Sequence, residues 1–244
     1  MYLNVDKCFV VSFHRNRNPI TYPYKLNGVQ INRKTETKDL GVFIQNDLRF
    51  NAHYNYITKK GYRNLGFIQR NTRAFSNPKT FKALYSSIVR SSLEYCTPLW
   101  SPSYVTHIED LEKIQKKFLR SLGFKDPDIQ DTHDYRTIMQ KYNINTLQHR
   151  RDIFDVLLTL KLIRGQLDCS DLVEHLNFRC NSRNTRNHNI FLPKFSRTNI
   201  SKTAPMNRCM QTCNVISKHP HNIDIFNERM SIIKNKLTIL FSLH

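Results

Sequence analysis

Glycine is scarce. The 244 residues hold six, too few to build a glycine-rich loop that cradles phosphates. Acidic residues are also few: 19 Asp and Glu against 38 Lys and Arg leave a net charge of +19. The only adjacent acidic pair, Glu109-Asp110, falls in a helical pattern, where neighbours i and i+1 do not share a face. It reads as a solvated helix face, not as a paired-carboxylate site for two divalent ions. No apolar run is long enough to span a membrane. The best, Ile153 to Ile163, is short and carries Asp155 and Lys161. Met1 is followed by Tyr-Leu-Asn-Val-Asp-Lys, with no apolar h-region, so no signal peptide is expected.

The six cysteines, Cys8, Cys96, Cys169, Cys180, Cys209 and Cys213, are widely spaced, and reduced thiols in an intracellular protein are the expectation. Cys209 and Cys213 could share a helix face, with Cys169, Cys180, His188, His219 and His221 near in sequence. A structural zinc site prefers two tight pairs, and only one is present, so idle or buried thiols are the favoured reading. His149-Arg150-Arg151 has no accompanying nucleophile and reads as a surface run at a helix start.

Apolar content of 39% and aromatic content of 11% support a folded core. The charge excess repels itself unless a polyanion shares the surface, and nucleic acid is favoured over an anionic membrane. The first fifty residues read as β. Cys8 to Phe13 is a short apolar run, and Ile20, Tyr22, Tyr24 and Leu26 alternate up to Asn27-Gly28, followed by Val29 and Ile31. Asn-Gly between alternating apolar residues signals a type I′ hairpin. Leu40 to Ile44 supplies a further strand. Four strands are too few for an independent domain.

From about residue 51 the period becomes helical. Ile57, Gly61, Leu65 and Ile68 line one face of a first helix. Asn77-Pro78 starts a second, with proline at its first position. A third runs from about Tyr104 to Gly123, with Ile108, Leu111, Gln115, Phe118, Leu119 and Leu122 inward. A short helix follows around Tyr135 to Tyr142. A longer one has Leu147, Phe154, Leu157 and Lys161 on one side and stops at Gly165. Residues 177 to 222, rich in Asn, Arg, Ser and Thr, read as loop, and a last helix from Ile225 to Leu240 follows Pro220. On the third helix Lys113, Lys116, Lys117 and Arg120 fall at i, i+3, i+4 and i+7 and form a stripe. Lys59, Lys60 and Arg63 cluster on the first. Such stripes track a phosphate backbone and release counterions on binding.

Six short motifs in order resemble the reverse transcriptases of non-LTR (LINE-type) retrotransposons, most nearly the Jockey-like group. Leu3-Asn4-Val5-Asp6-Lys7-Cys8, with the run to Phe13, resembles the segment after the catalytic Asp-Asp hairpin. Lys38, Asp39, Leu40, Gly41 and Val42 resemble the KDLGV motif, which in the family helps hold the primer end. Leu93-Glu94-Tyr95 with Leu99-Trp100-Ser101-Pro102, and the run from Ile114 to Arg120, resemble thumb segments. Arg150-Arg151, Lys161, Gly165 and Asp168 fit the next helix. Arg183-Asn184-Thr185-Arg186 and Pro205-Met206-Asn207-Arg208 resemble C-terminal motifs. Cys96 stands where the family pattern has glycine.

The resemblance implies an α+β fold, mostly α. It divides into an antiparallel palm remnant (1–48), a helical thumb bundle (49–165) and a loop-rich C-terminal extension (166–244). The implied parent activity is magnesium-dependent, RNA-templated DNA synthesis, with the catalytic aspartates outside this chain and no cofactor within it. The implied partner is RNA–DNA hybrid or RNA, bound with little sequence preference. Lys59, Lys60, Arg63, Lys113, Lys116, Lys117, Arg120, Arg150 and Arg151 are the expected contacts. The alternative is a domesticated or degenerate basic helical nucleic-acid-binding protein without enzymatic activity.

Overall fold

A computed structural model describes residues 4–14, 19–74, 77–180, 189–218 and 223–242. Leu3, Arg183 to Arg186, His188, His219, Pro220 and His221, named above, lie outside the described residues. The chain is α+β and mostly helical. It divides into two compact units, Met1–Ile57 and Thr58–His244.

In the first unit a 3₁₀ turn, Val5–Lys7, is capped by the Asn4 side chain, which accepts from the Asp6 amide at 3.0 Å. Strand β1 (Phe9–Val10) follows. Strands β2 (Lys25–Leu26) and β3 (Val29–Gln30) form the hairpin read from Asn27-Gly28, whose φ values of 50° and 79° are those of a type I′ turn. Strand β4 (Asn32–Arg33) pairs with β1 in parallel, so the expected all-antiparallel arrangement is corrected there. Strands β5 (Glu36–Asp39) and β6 (Val42–Gln45) make a second hairpin that the sequence reading missed. Leu40 and Gly41 are its turn, with φ of 43° and 92°, not the start of the strand expected over Leu40 to Ile44. An apolar residue at positive φ is an unusual turn former, and this hid the hairpin.

Helix α1 (Asn51–Asn71) crosses the division between the units in sequence. Within the second unit, α2 (Pro78–Leu84) is capped by Asn77, whose side chain accepts from the Lys79 amide at 2.9 Å. It continues through a π-helical turn (Tyr85–Arg90) into α3 (Ser91–Glu94). Cys96, at φ 56°, ends this rod. The short α4 (Thr97–Trp100) and the long α5 (Val105–Gly123) follow. Gln115, Leu111, Phe118, Leu119 and Leu122 of α5 are buried as the period implied. Phe118 stacks on Tyr85, ring centroids 3.7 Å apart. The Tyr85 hydroxyl donates to Gln115 at 3.1 Å, and Gln115 donates to the Asn145 carbonyl at 3.0 Å, so both buried polar side chains are satisfied.

Helices α6 (Tyr135–Lys141) and α7 (Leu147–Ile163) start at Asp134 and Thr146, whose side chains accept from the Thr137 and His149 amides. Helix α7 is buried on more than one side. Arg151, Ile153, Asp155, Val156, Thr159, Leu160 and Leu162 are all inward, whereas Lys161 is exposed. Gly165, at φ 62°, terminates it in the left-handed conformation.

Past residue 165 come α8 (Ser170–Val173), α9 (Asn199–Lys202), α10 (Pro205–Ile216) and α11 (Met230–Ser242). The reading of 177–222 as loop is therefore wrong for α9 and α10. The last helix begins at Met230, and Ile225 and Phe226 belong to the turn before it. Ile153, Val156, Leu160 and Leu162 of α7 share one apolar core with Phe191, Met210, Ile216, Ile225, Ile233 and Leu237.

Candidate nucleic-acid interface

Two features bring α1 and α5 side by side. Gly61 lies on the buried face of α1. A Cβ there would stand 2.9 Å from Ile114 Cδ1 and 2.9 Å from Leu93 Cδ2, so the absence of a side chain lets the two helices pack closely with these methyls in place. About two turns on, Gln69 Nε2 donates to Ser121 Oγ at 2.6 Å. The apolar faces of both helices are thus turned inward, and their polar faces flank one seam.

On α1, Lys59, Tyr62, Arg63 and Arg70 are exposed, and Lys60 is partly buried. On α5, Lys113, Lys116, Lys117 and Arg120 are all exposed. Lys117 reaches across the seam, its Nζ 5.6 Å from the centroid of the Tyr62 ring. The two sequence clusters therefore form one surface. Arg120 extends it toward Phe124, with its guanidinium carbon 5.7 Å from that ring. Acid is sparse here. Asp110 pairs with Lys113 at 2.8 Å, one turn apart on α5, and the hydrogen bond holds the Lys113 ammonium above its ordinary range. Both partners are largely exposed, so water screens the pair.

Arg150 and Arg151 do not join this surface. Arg150 Nη2 donates to Glu94 Oε2 at 2.9 Å, with a second contact from Nε to Oε1. Arg151 is 1% exposed and donates to Gln148 Oε1 at 2.9 Å. The expected surface run at the start of α7 is instead a joint. Glu112 of α5 accepts from the Gln148 amide at 2.8 Å, completing the α7 N-terminus, and its burial pushes its carboxyl upward in pKa. Sequence reading missed this because Glu94 and Glu112 are distant in the chain.

The KDLGV residues form a hairpin tip. Lys38 lies on β5, its Nζ 4.6 Å from the Tyr56 ring centroid and 5.3 Å from that of Phe43. Asp39 faces Val42 across the ladder, Leu40 is 85% exposed at the turn, and Val42 is buried. Beneath them His53 Nδ1 accepts from the Phe43 amide at 3.3 Å. Burial, then the Lys38 charge, lowers the imidazole to about 4.

The residues present do not suit the two-ion centre of the implied parent polymerase. Glu109 and Asp110 point apart around α5, and Asp110 is engaged by Lys113. No cluster of three or more His, Cys, Asp or Glu side chains occurs among the described residues. Cys209 and Cys213 do share a face of α10, but both are buried. Burial pushes the Cys209 thiol up and the Cys213 thiol up to about 12, away from the thiolate that a metal needs. Among the described residues no helix is long and apolar enough to cross a membrane.

Two contributors to the surface were not singled out from sequence: Tyr62 and Phe124. The one signal that could have found the seam was Gly61, a glycine inside an otherwise large apolar face. Compared with known proteins, the chain matches no family model, no curated protein and no solved structure.

Proposed function

We propose that this chain is a sequence-tolerant nucleic-acid-binding module, corresponding to the palm end, helical thumb and C-terminal extension of a LINE-type reverse transcriptase. The palm and thumb assignments rest on the motif resemblance. One observation carries the binding role: Lys59, Arg63 and Arg70 of α1 and Lys116, Lys117 and Arg120 of α5 occupy one exposed surface, joined where Lys117 crosses to Tyr62. Lys and Arg in such an array neutralise phosphates and gain entropy from released counterions, whatever the base sequence.

The proposed role is binding, not nucleotide transfer. Its test is titration of a labelled RNA–DNA hybrid at several salt concentrations. Support comes from binding that weakens log-linearly with salt, by about 0.9 per phosphate contact on a duplex, and is similar for unrelated sequences. Absence of binding at low salt, or binding confined to one sequence, overturns it.

A further inference from the structure

The surface carries more than charge. Tyr62 sits at the seam with 38% of its surface exposed, and Phe124, at the end of α5, is 69% exposed. Both rings are exposed on a face that otherwise carries the Lys and Arg array, with Asp110 paired to Lys113. Each has a cation over it: Lys117 Nζ is 5.6 Å from the Tyr62 centroid and the Arg120 guanidinium carbon 5.7 Å from the Phe124 centroid. Lys117 and Phe124 are two turns apart on α5, about 10 Å along the axis at 1.5 Å per residue. The order along the surface is therefore ring, cation, cation, ring.

A uniform duplex would need only the cations. Its bases are already stacked on one another, and an exposed ring meets only sugar and phosphate. A single strand presents unstacked bases between its phosphates, and alternating rings and cations match that pattern. Resting on the nucleic-acid-binding reading above, we propose that this surface is a single-strand platform. Tyr62 and Phe124 each stack on a base, and Lys117 and Arg120 hold the intervening phosphates. Lys113 contributes once its exposed pairing with Asp110 yields to a phosphate. Every base has a π-face, so stacking adds affinity without adding sequence preference.

The experiment measures anisotropy of a labelled mixed-sequence RNA of roughly 16 nucleotides, the upper site size for such platforms, alone and annealed to its complement. The full chain is compared with a Tyr62→Ala, Phe124→Ala variant and with Tyr62→Phe. Both rings are exposed, so thermal melting should show the variants folded like the parent. The parent should bind the single strand more tightly than the duplex. The double variant should lose about tenfold or more on the single strand and leave duplex binding unchanged, whereas Tyr62→Phe keeps its ring and its affinity. Equal losses on both substrates, no loss on either, or a parent that prefers the duplex would overturn the platform and leave the broader binding role standing. A parent that binds neither substrate overturns both.

Discussion

Gly61 of α1 and Ile114 of α5 meet so closely that a Cβ on the glycine would lie 2.9 Å from the isoleucine Cδ1. Helices this near bring their outer faces into one surface, so the basic array depends on this contact. The atoms in the way are the far ends of two flexible side chains, Ile114 and Leu93. Gly61→Ala should therefore be close to neutral: a helix-propensity gain of about 1 kcal/mol offsets the shift of the two methyls. Gly61→Leu cannot be accommodated by rotamer changes, and should destabilise by about 1–3 kcal/mol in urea unfolding. A leucine variant as stable as the parent would show that the helices are not held together here.

Arg208 of α10 closes on Asp155 of α7 through Nε to Oδ2 at 2.6 Å and Nη2 to Oδ1 at 3.2 Å. It also donates to the carbonyls of Pro98 and Thr203. Asp155 is 1% exposed, and burial raises its pKa even against this partner. Arg208→Ala leaves a buried carboxylate without its main counter-charge and should cost about 3–5 kcal/mol. The Arg208→Leu, Asp155→Leu double variant should recover part of that, because it buries no charge. If both variants melt with the parent, the pair does not hold α10 in place.

Cys96 adopts φ 56°, ψ 26°, a left-handed conformation that costs an L-residue about 1–2 kcal/mol. It is also the position where the resembled family pattern has glycine. Cys96→Gly removes the clash at the end of the rod, and part of the gain returns as chain entropy in the unfolded state. A net stabilisation of about 0.5–1 kcal/mol should appear as a higher denaturant midpoint at unchanged slope. Destabilisation would mean that the Cys96 side chain makes a contact worth more than its strain.

His53 is held neutral, with its pKa lowered from 6.5 to about 4 by burial and by Lys38. Between those values the unfolded chain binds a proton that the folded chain does not. The resulting stabilisation is complete above about pH 6.5 and is lost as pH falls toward 4. In NMR titration the His53 ring should keep its neutral chemical shifts at pH 5, where exposed histidines are protonated. A midpoint near 6.5 would contradict the buried Nδ1 contact with Phe43.

Local chemistry was legible where it acts over a few residues. Asn27-Gly28, Asn77-Pro78 and the period of α5 set a turn, a helix start and a buried face with little help from the rest of the chain. Helix α10 was not legible because its inward side is partly polar. Asn214 accepts from the Phe191 amide and donates to the Phe191 carbonyl, both at 2.9 Å, and Asn207 accepts from the Lys194 amide at 3.2 Å. Asparagines that satisfy a distant backbone look in sequence like loop residues. The basic stripe of α5 could be read from its spacing, since one helix contains all of it. The merging of that stripe with α1 depends on a tertiary contact at Gly61, and the withdrawal of Arg150 and Arg151 depends on partners far away in the chain.

The most direct test of the account is charge reversal on α5. Lys113, Lys116, Lys117 and Arg120 are exposed, so changing all four to Glu should spare the core, and circular dichroism should show unchanged helicity. The control changes Lys234 and Lys236 of α11, where Lys236 already pairs with Glu228 at 2.7 Å. Affinity for labelled RNA is measured against salt concentration for the parent and both variants. The quadruple variant should bind all sequences more weakly and show a flatter dependence of log affinity on log salt, and the control should change far less. A quadruple variant that stays helical and follows the parent's line at every salt concentration would make this surface an ordinary solvated face and contradict the binding role.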